Sequence, residues 1–80
     1  MAILTNYHFT VRCGGAAGAM DKVDGNDLLD GDRAYVIEAG VFYVYWLDAD
    51  SGATDNSATT KTVIAPDTNA GTKRWLICTH

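Results

Sequence analysis

Eighty residues with 48% apolar content fit one folded domain rather than a disordered chain. The formal net charge is −4, and Lys73-Arg74 is the one adjacent pair among six Lys and Arg residues. The row of cations that neutralises phosphates is missing, so nucleic acid is excluded as a partner.

The longest apolar run, Gly40 to Leu47, falls far short of the roughly 20 residues that span a bilayer, so no membrane partner is expected. Met1 to Tyr7 holds no basic segment followed by an apolar one, so no secretory leader is expected and the chain is placed in the cytoplasm at synthesis. In a reducing compartment, Cys13 and Cys78 read as small apolar side chains in or near the core. A bridge joining the first and last strands is the alternative.

Residues 3–12 alternate with the period-2 pattern of a half-buried strand. Ile3, Thr5, Tyr7, Phe9 and Val11 fall on one side, and Leu4, Asn6, His8, Thr10 and Arg12 on the other. Cys13-Gly14-Gly15 breaks it. Ala16, Ala19, Met20 and Val23 then stand at helical spacing and predict a short helix over 15–23, weakened by Gly18. Asp24-Gly25-Asn26 ends that helix. Asp27 to Asp30 forms a helical turn or a loop pinned by Leu28 and Leu29, and Asp30-Gly31-Asp32 is turn chemistry.

The segment from Asp27 to Asp50 is the most informative in the chain. It predicts strands over 33–38 and 41–48, joined at Ala39-Gly40 as a tight hairpin. Val41-Phe42-Tyr43-Val44-Tyr45-Trp46-Leu47 is apolar on both alternating faces, whereas a strand with one buried face carries polar residues at every second position. The hairpin is therefore covered on both sides, or one face binds something. Asp48 to Thr60 is small and polar and reads as a mobile loop. Thr62 to Ala65 predicts a short strand stopped by Pro66, a second loop follows to Thr72, and Arg74 to Thr79 predicts the last strand. The expected fold class is mainly β (α+β): a small curled antiparallel sheet of four to five strands with one short helix plugging an open side or end, in one domain spanning residues 1–80.

Residues able to do chemistry do not assemble into a motif. Asp24-Gly-Asn26-Asp27 and Asp48-Ala-Asp50-Ser-Gly52 start like calcium loops. The first places Leu28 and Leu29 where an oxygen ligand and a glycine are needed, and the second puts its glycine a position early and lacks the closing Glu. His8, Cys13, Cys78 and His80 are the only zinc candidates, and none stand at ligand spacing. Neither cysteine lies at a helix start with basic neighbours that lower a thiol pKa. Gly14 to Gly18 lacks the order of a phosphate loop, and Ser51 and Ser57 both lie in the polar loop, so no hydrolytic triad is available. No catalytic, cofactor or metal residues are assigned.

The aromatic residues remain. Phe42 and Trp75 are expected in the core, because a small core needs large side chains. Tyr43, Tyr45 and Trp46 form the candidate contact surface, with Trp46 on the strand face opposite the tyrosines. Such a surface suits a protein partner, including a second copy of the chain, or stacks on the rings of a glycan.

The chain also carries an ordered set of motifs: Gly18-Ala19-Met20-Asp21, Val23-Asp24-Gly25, Leu29-x-Gly31-Asp32-x-Ala34, Gly40-Val41-x-Tyr43-x-Tyr45-x-Leu47-Asp48, Val63-Ile64-x-Pro66-Asp67 and Arg74-Trp75. This order resembles a small β-rich module of phage and prophage tail-region proteins, among them tail fibres and tailspike-associated proteins. The resemblance extends from about residue 14 to 78. It implies a non-enzymatic building or attachment unit, with the virion as its destination and other tail proteins as partners, and it carries no catalytic residues. Gly31, Gly40, Pro66 and Trp75 match as turn and core positions. The alternative expectation is a small glycan-binding module that uses the aromatic residues of the 41–47 strand.

Overall fold

The structure, a computed structural model, describes residues 4–78. Ile3, Thr79 and His80, which enter the first and last predicted strands and the zinc candidates, lie outside the described residues. Five strands form one sheet: β1 (Asn6–Phe9), β2 (Arg33–Glu38), β3 (Val41–Asp48), β4 (Val63–Ile64) and β5 (Arg74–Ile77), in the order β1-β2-β3-β5-β4. The domain is mainly β, as the alternating sequence requires.

The β2–β3 hairpin forms where the sequence places it, with Glu38 opposite Val41 and Arg33 opposite Trp46. Ala39 at φ 53 and Gly40 at φ 78 make its turn. Both central residues at positive φ match the right-handed twist of the flanking strands.

Two expectations are corrected. First, β1 runs parallel to β2, with Tyr7 beside Ala34 and Phe9 beside Val36, so the sheet is mixed rather than wholly antiparallel. Alternation reports which face a side chain takes and is silent on strand direction. Second, the helix over 15–23 does not form, and among the described residues only two single turns of 3-10 helix occur, at Met20–Lys22 and Gly25–Asp27. Gly14, Gly15 and Gly18 sit at φ 113, 70 and 90, which a right-handed helix forbids.

A parallel pair needs a long crossover. Residues 10–32 supply it and lay Met20 and Leu28 onto one side of the sheet. Two buried carboxylates pin this crossover. Asp21, 4% exposed, accepts the backbone N–H of Gly14 at 3.0 Å and of Gly15 at 2.8 Å. Asp32, 1% exposed, accepts the N–H of Thr5 and of Leu29, each at 2.8 Å. An acceptor-only group that satisfies two backbone donors is well suited to burial at a chain crossing. Asp32 is thus more than the turn former its neighbours suggest.

The core comprises Met20, Leu28, Ala34, Val36, Tyr45, Leu47, Ile64 and Trp75, all fully buried. Tyr7 packs edge-on to Trp75 at 6.1 Å and stacks on Phe9 at 5.9 Å. Trp75 is a core residue as expected, and Phe42 is not: its side chain is 60% exposed. Cys13 and Cys78 are both free and partly buried, so no bridge joins the first and last strands.

Candidate contact face

Register divides the side chains between two faces. Tyr43 pairs with Val36, Tyr45 with Ala34 and Ile77, and Leu47 with Trp75. Cross-strand partners share a face, so Tyr43, Tyr45 and Leu47 turn toward the crossover and the core. The intervening residues Phe42, Val44 and Trp46 turn away with Ile37, Tyr35 and Arg33 of β2, His8 of β1 and Leu76 of β5. We call this second side the open face.

This geometry splits the three candidate contact residues. Tyr45 is fully buried, and its hydroxyl donates to the Lys61 carbonyl at 2.6 Å. It is a core residue and offers no contact surface. Burial also pushes its phenol pKa up. Tyr43 is partly buried on the same side, with the Arg12 guanidinium 4.0 Å from its ring centroid. Arg12 is held there by Glu38 at 2.7 Å, and this bond keeps the Glu38 carboxyl below its ordinary pKa. Tyr43 is therefore already covered by a cation–π contact from within the chain. Trp46 lies on the open face and is partly buried. Of the three, only Trp46 contributes to the open surface.

The residues that the sequence reading missed are Ile37 and Phe42, cross-strand partners that are 61% and 60% exposed. Tyr35 stands beside them, its ring 6.2 Å from Phe42 and 7° from parallel, and His8 lies 5.5 Å from Tyr35. Together with Phe9 these four side chains line an open depression of about 230 Å3. The signal for Phe42 was available in the alternation itself, because Phe42 and Trp46 are four positions apart on one strand and must share a face.

Charge on this face is sparse. Of the ten acidic residues in the chain, register places only Asp48 there, beside Arg74 at the end of β3 remote from the turn. Arg33 is exposed beside Trp46 and, among the described residues, its guanidinium makes no hydrogen bond. Arg74 is engaged, donating to the Ala53, Gly71 and Lys73 carbonyls.

The acidic loops fold as turns. Asp24 accepts the N–H of Asn26 and the amide of Asn69, each at 2.9 Å, and Asp48 accepts the N–H of Asp50 at 3.1 Å. No cluster of three or more His, Cys, Asp or Glu placed to hold a metal occurs among the described residues. Cys13 lies 3.6 Å from the Ser57 carbonyl, and burial raises its thiol pKa, the reverse of an activated nucleophile. Among the described residues, no helix is long and apolar enough to cross a membrane. Comparison with protein-family models, with curated proteins and with solved structures found no match.

Proposed function

We propose that this chain is a non-enzymatic structural or interaction module of phage- or prophage-tail type that docks through the open face of its sheet. The observation that carries the reading is the pair Ile37 and Phe42, both exposed beside the turn end of the hairpin on an apolar sheet surface. A domain buries its sheet faces against a second layer, and here the crossover covers only one of them. The ordered motifs from Gly18 to Trp75 support the tail-module class, and the raised Cys13 pKa and the engaged acidic loops support a role without catalysis.

The test is the double variant Ile37→Thr/Phe42→Thr. Threonine keeps strand propensity while removing the apolar surface. Each substitution is expected to cost less than about 1 kcal/mol of stability, and retention on a phenyl matrix should fall sharply. A loss of fold comparable to that of a core truncation, or unchanged retention, would contradict the reading.

A glycan-binding role is the second reading, and the near-parallel Tyr35 and Phe42 rings favour it. They replace the Trp46 and tyrosine platform expected from the sequence. Weighing against it, the His8 imidazole and the Tyr35 hydroxyl are, among the described residues, the only polar side-chain groups lining the depression, and sugar recognition needs several. A glycan array with no signal for the wild-type chain removes this reading.

A further inference from the structure

We propose that Asp67 is a pH-sensitive clasp between the crossover and the loop joining β4 to β5. In mild acid its protonated carboxyl donates to the buried Asp21 carboxylate and fastens the two segments. As pH rises toward neutrality the contact becomes a repulsion between like charges and the segments loosen. The inference is independent of what the open face binds.

The crossover meets the loop of residues 65–73 along one continuous seam. Asp67 N–H donates to the Asp21 carbonyl at 2.8 Å, and Gly25 N–H donates to the Thr68 carbonyl at 2.7 Å. A Cβ at Gly25 would collide with the Asn69 carbonyl oxygen, so the two backbones touch directly. The Asn69 amide donates to Asp24 at 2.9 Å, and Lys73 Nζ donates to the Gly25 and Leu28 carbonyls at 2.7 and 2.8 Å. At the Asp67 end the side chain reaches back over Gly15, where a Cβ would collide with its Oδ2. That position brings it within hydrogen-bond reach of the Asp21 carboxyl, which already accepts the Gly14 and Gly15 N–H groups and is 4% exposed.

Two carboxylates at this separation repel, whereas a carboxylic acid beside a carboxylate donates a hydrogen bond to it. Asp21 is the member with two backbone donors, which favour a charged acceptor, so the proton belongs to Asp67. Two other charged groups face Asp67. Lys22 favours its ionised form, and Asp55 opposes it. Burial first and then the Asp21 charge outweigh Lys22 and hold the Asp67 carboxyl above its ordinary pKa. Asp24, at the other end of the seam, is held below its ordinary pKa by the Asn26 N–H and the Asn69 amide. Its bonds therefore persist through the window in which Asp67 titrates. A group whose folded pKa is raised stabilises below its unfolded value and loses that contribution as pH climbs through the folded value. The seam is thus tightest near the ordinary carboxylate value of about 3.9 and slackens toward neutral pH.

Amide hydrogen exchange from about pH 4 to 7 tests this, read as protection factors so that the intrinsic pH dependence of exchange divides out. The Gly25 amide and the amide of position 67 report on the seam, and amides of β2 and β3 serve as the internal reference. In the wild-type chain, seam protection relative to the reference is expected to fall by about two- to threefold as pH rises, a small effect because Asp67 is exposed and screened. Asp67→Asn carries a carboxamide that donates to Asp21 at every pH, and its seam protection should stay flat at the level the wild-type chain reaches in acid. Asp67→Ala should be flat at the lower, neutral level. Wild-type seam protection that does not change with pH overturns the proposal. So does a fall that persists in Asp67→Asn, because another group would then be the one titrating.

Discussion

Tyr45 and Phe42 lie three positions apart on one strand and face opposite ways, Tyr45 fully buried with its hydroxyl on the Lys61 carbonyl and Phe42 60% exposed on the open face. The division of labour along β3 follows from this relationship. One set of aromatic residues builds the core, and the other is left for contact.

Substitutions at the two positions should therefore diverge. Tyr45→Ala is expected to cost about 3–5 kcal/mol, the range for deleting a buried aromatic side chain. That approaches the whole stability of a domain this size, so the variant should be largely unfolded. Tyr45→Phe keeps the ring and should cost about 1 kcal/mol for the lost hydrogen bond. Urea unfolding of Tyr45→Phe beside Phe42→Thr measures both, with the midpoint shifting and the slope unchanged.

Asp32 joins the start of the described chain to the hairpin by accepting from Thr5 and Leu29. Asp32→Ala strands two backbone donors and is expected to cost more than about 2 kcal/mol. Amide exchange at Thr5 and Leu29 should accelerate before the rest of the sheet is affected. Protection at both amides equal to that of the parent would show that the carboxylate does not hold this crossing.

Asp67 gives a pH dependence of defined sign. Burial first, and then the neighbouring Asp21 carboxylate, raise its pKa above the ordinary value. The folded state thus holds this proton more tightly than the unfolded state does. The stability it contributes is full below the unfolded carboxylate range of about 3.9 and is lost as pH rises through the raised value. Asp67→Asn is expected to stabilise the protein at pH 7 by well under about 1 kcal/mol, because Asp67 is exposed and screened. The gain should vanish in acid. Melting temperatures of the two proteins from pH 3 to 8 should converge at the low end, and a gap that widens there contradicts the assignment.

Ala39 occupies the left-handed region at φ 53, where its Cβ is crowded. Ala39→Gly or Ala39→Asn should relieve that strain and stabilise the hairpin by about 0.5–1 kcal/mol. Chemical denaturation reads this as a raised midpoint at unchanged slope.

Legibility differed among the parts of the fold. Strands β2 and β3 were readable residue by residue, because alternation and the Ala39-Gly40 turn agree on register. The last strand was readable as well, Trp75 and Ile77 facing the core as their spacing requires. The crossover was not. Ala16, Ala19 and Met20 mimic a helical face, but three glycines at positive φ decide the backbone there, and a glycine's φ is not written in its neighbours. Parallel pairing of β1 was hidden for a related reason, since strand direction depends on where a distant crossover returns. The contact face was half readable. The doubly apolar strand announced that one of its faces was special, yet two apolar faces look alike until packing chooses between them. The buried roles of Asp21 and Asp32 were concealed by a sequence in which acids beside glycine usually mark solvated turns.

Hydroxyl-radical footprinting in dilute solution, with each residue normalised to its rate in the unfolded chain, distinguishes the two faces of β3 in one experiment. Phe42 and Ile37 should react near their unfolded rates while Tyr45 and Trp75 are protected. Tyr45 reacting as readily as Phe42, or Phe42 protected in the dilute monomer, would place the open face elsewhere and remove the basis for a docking role.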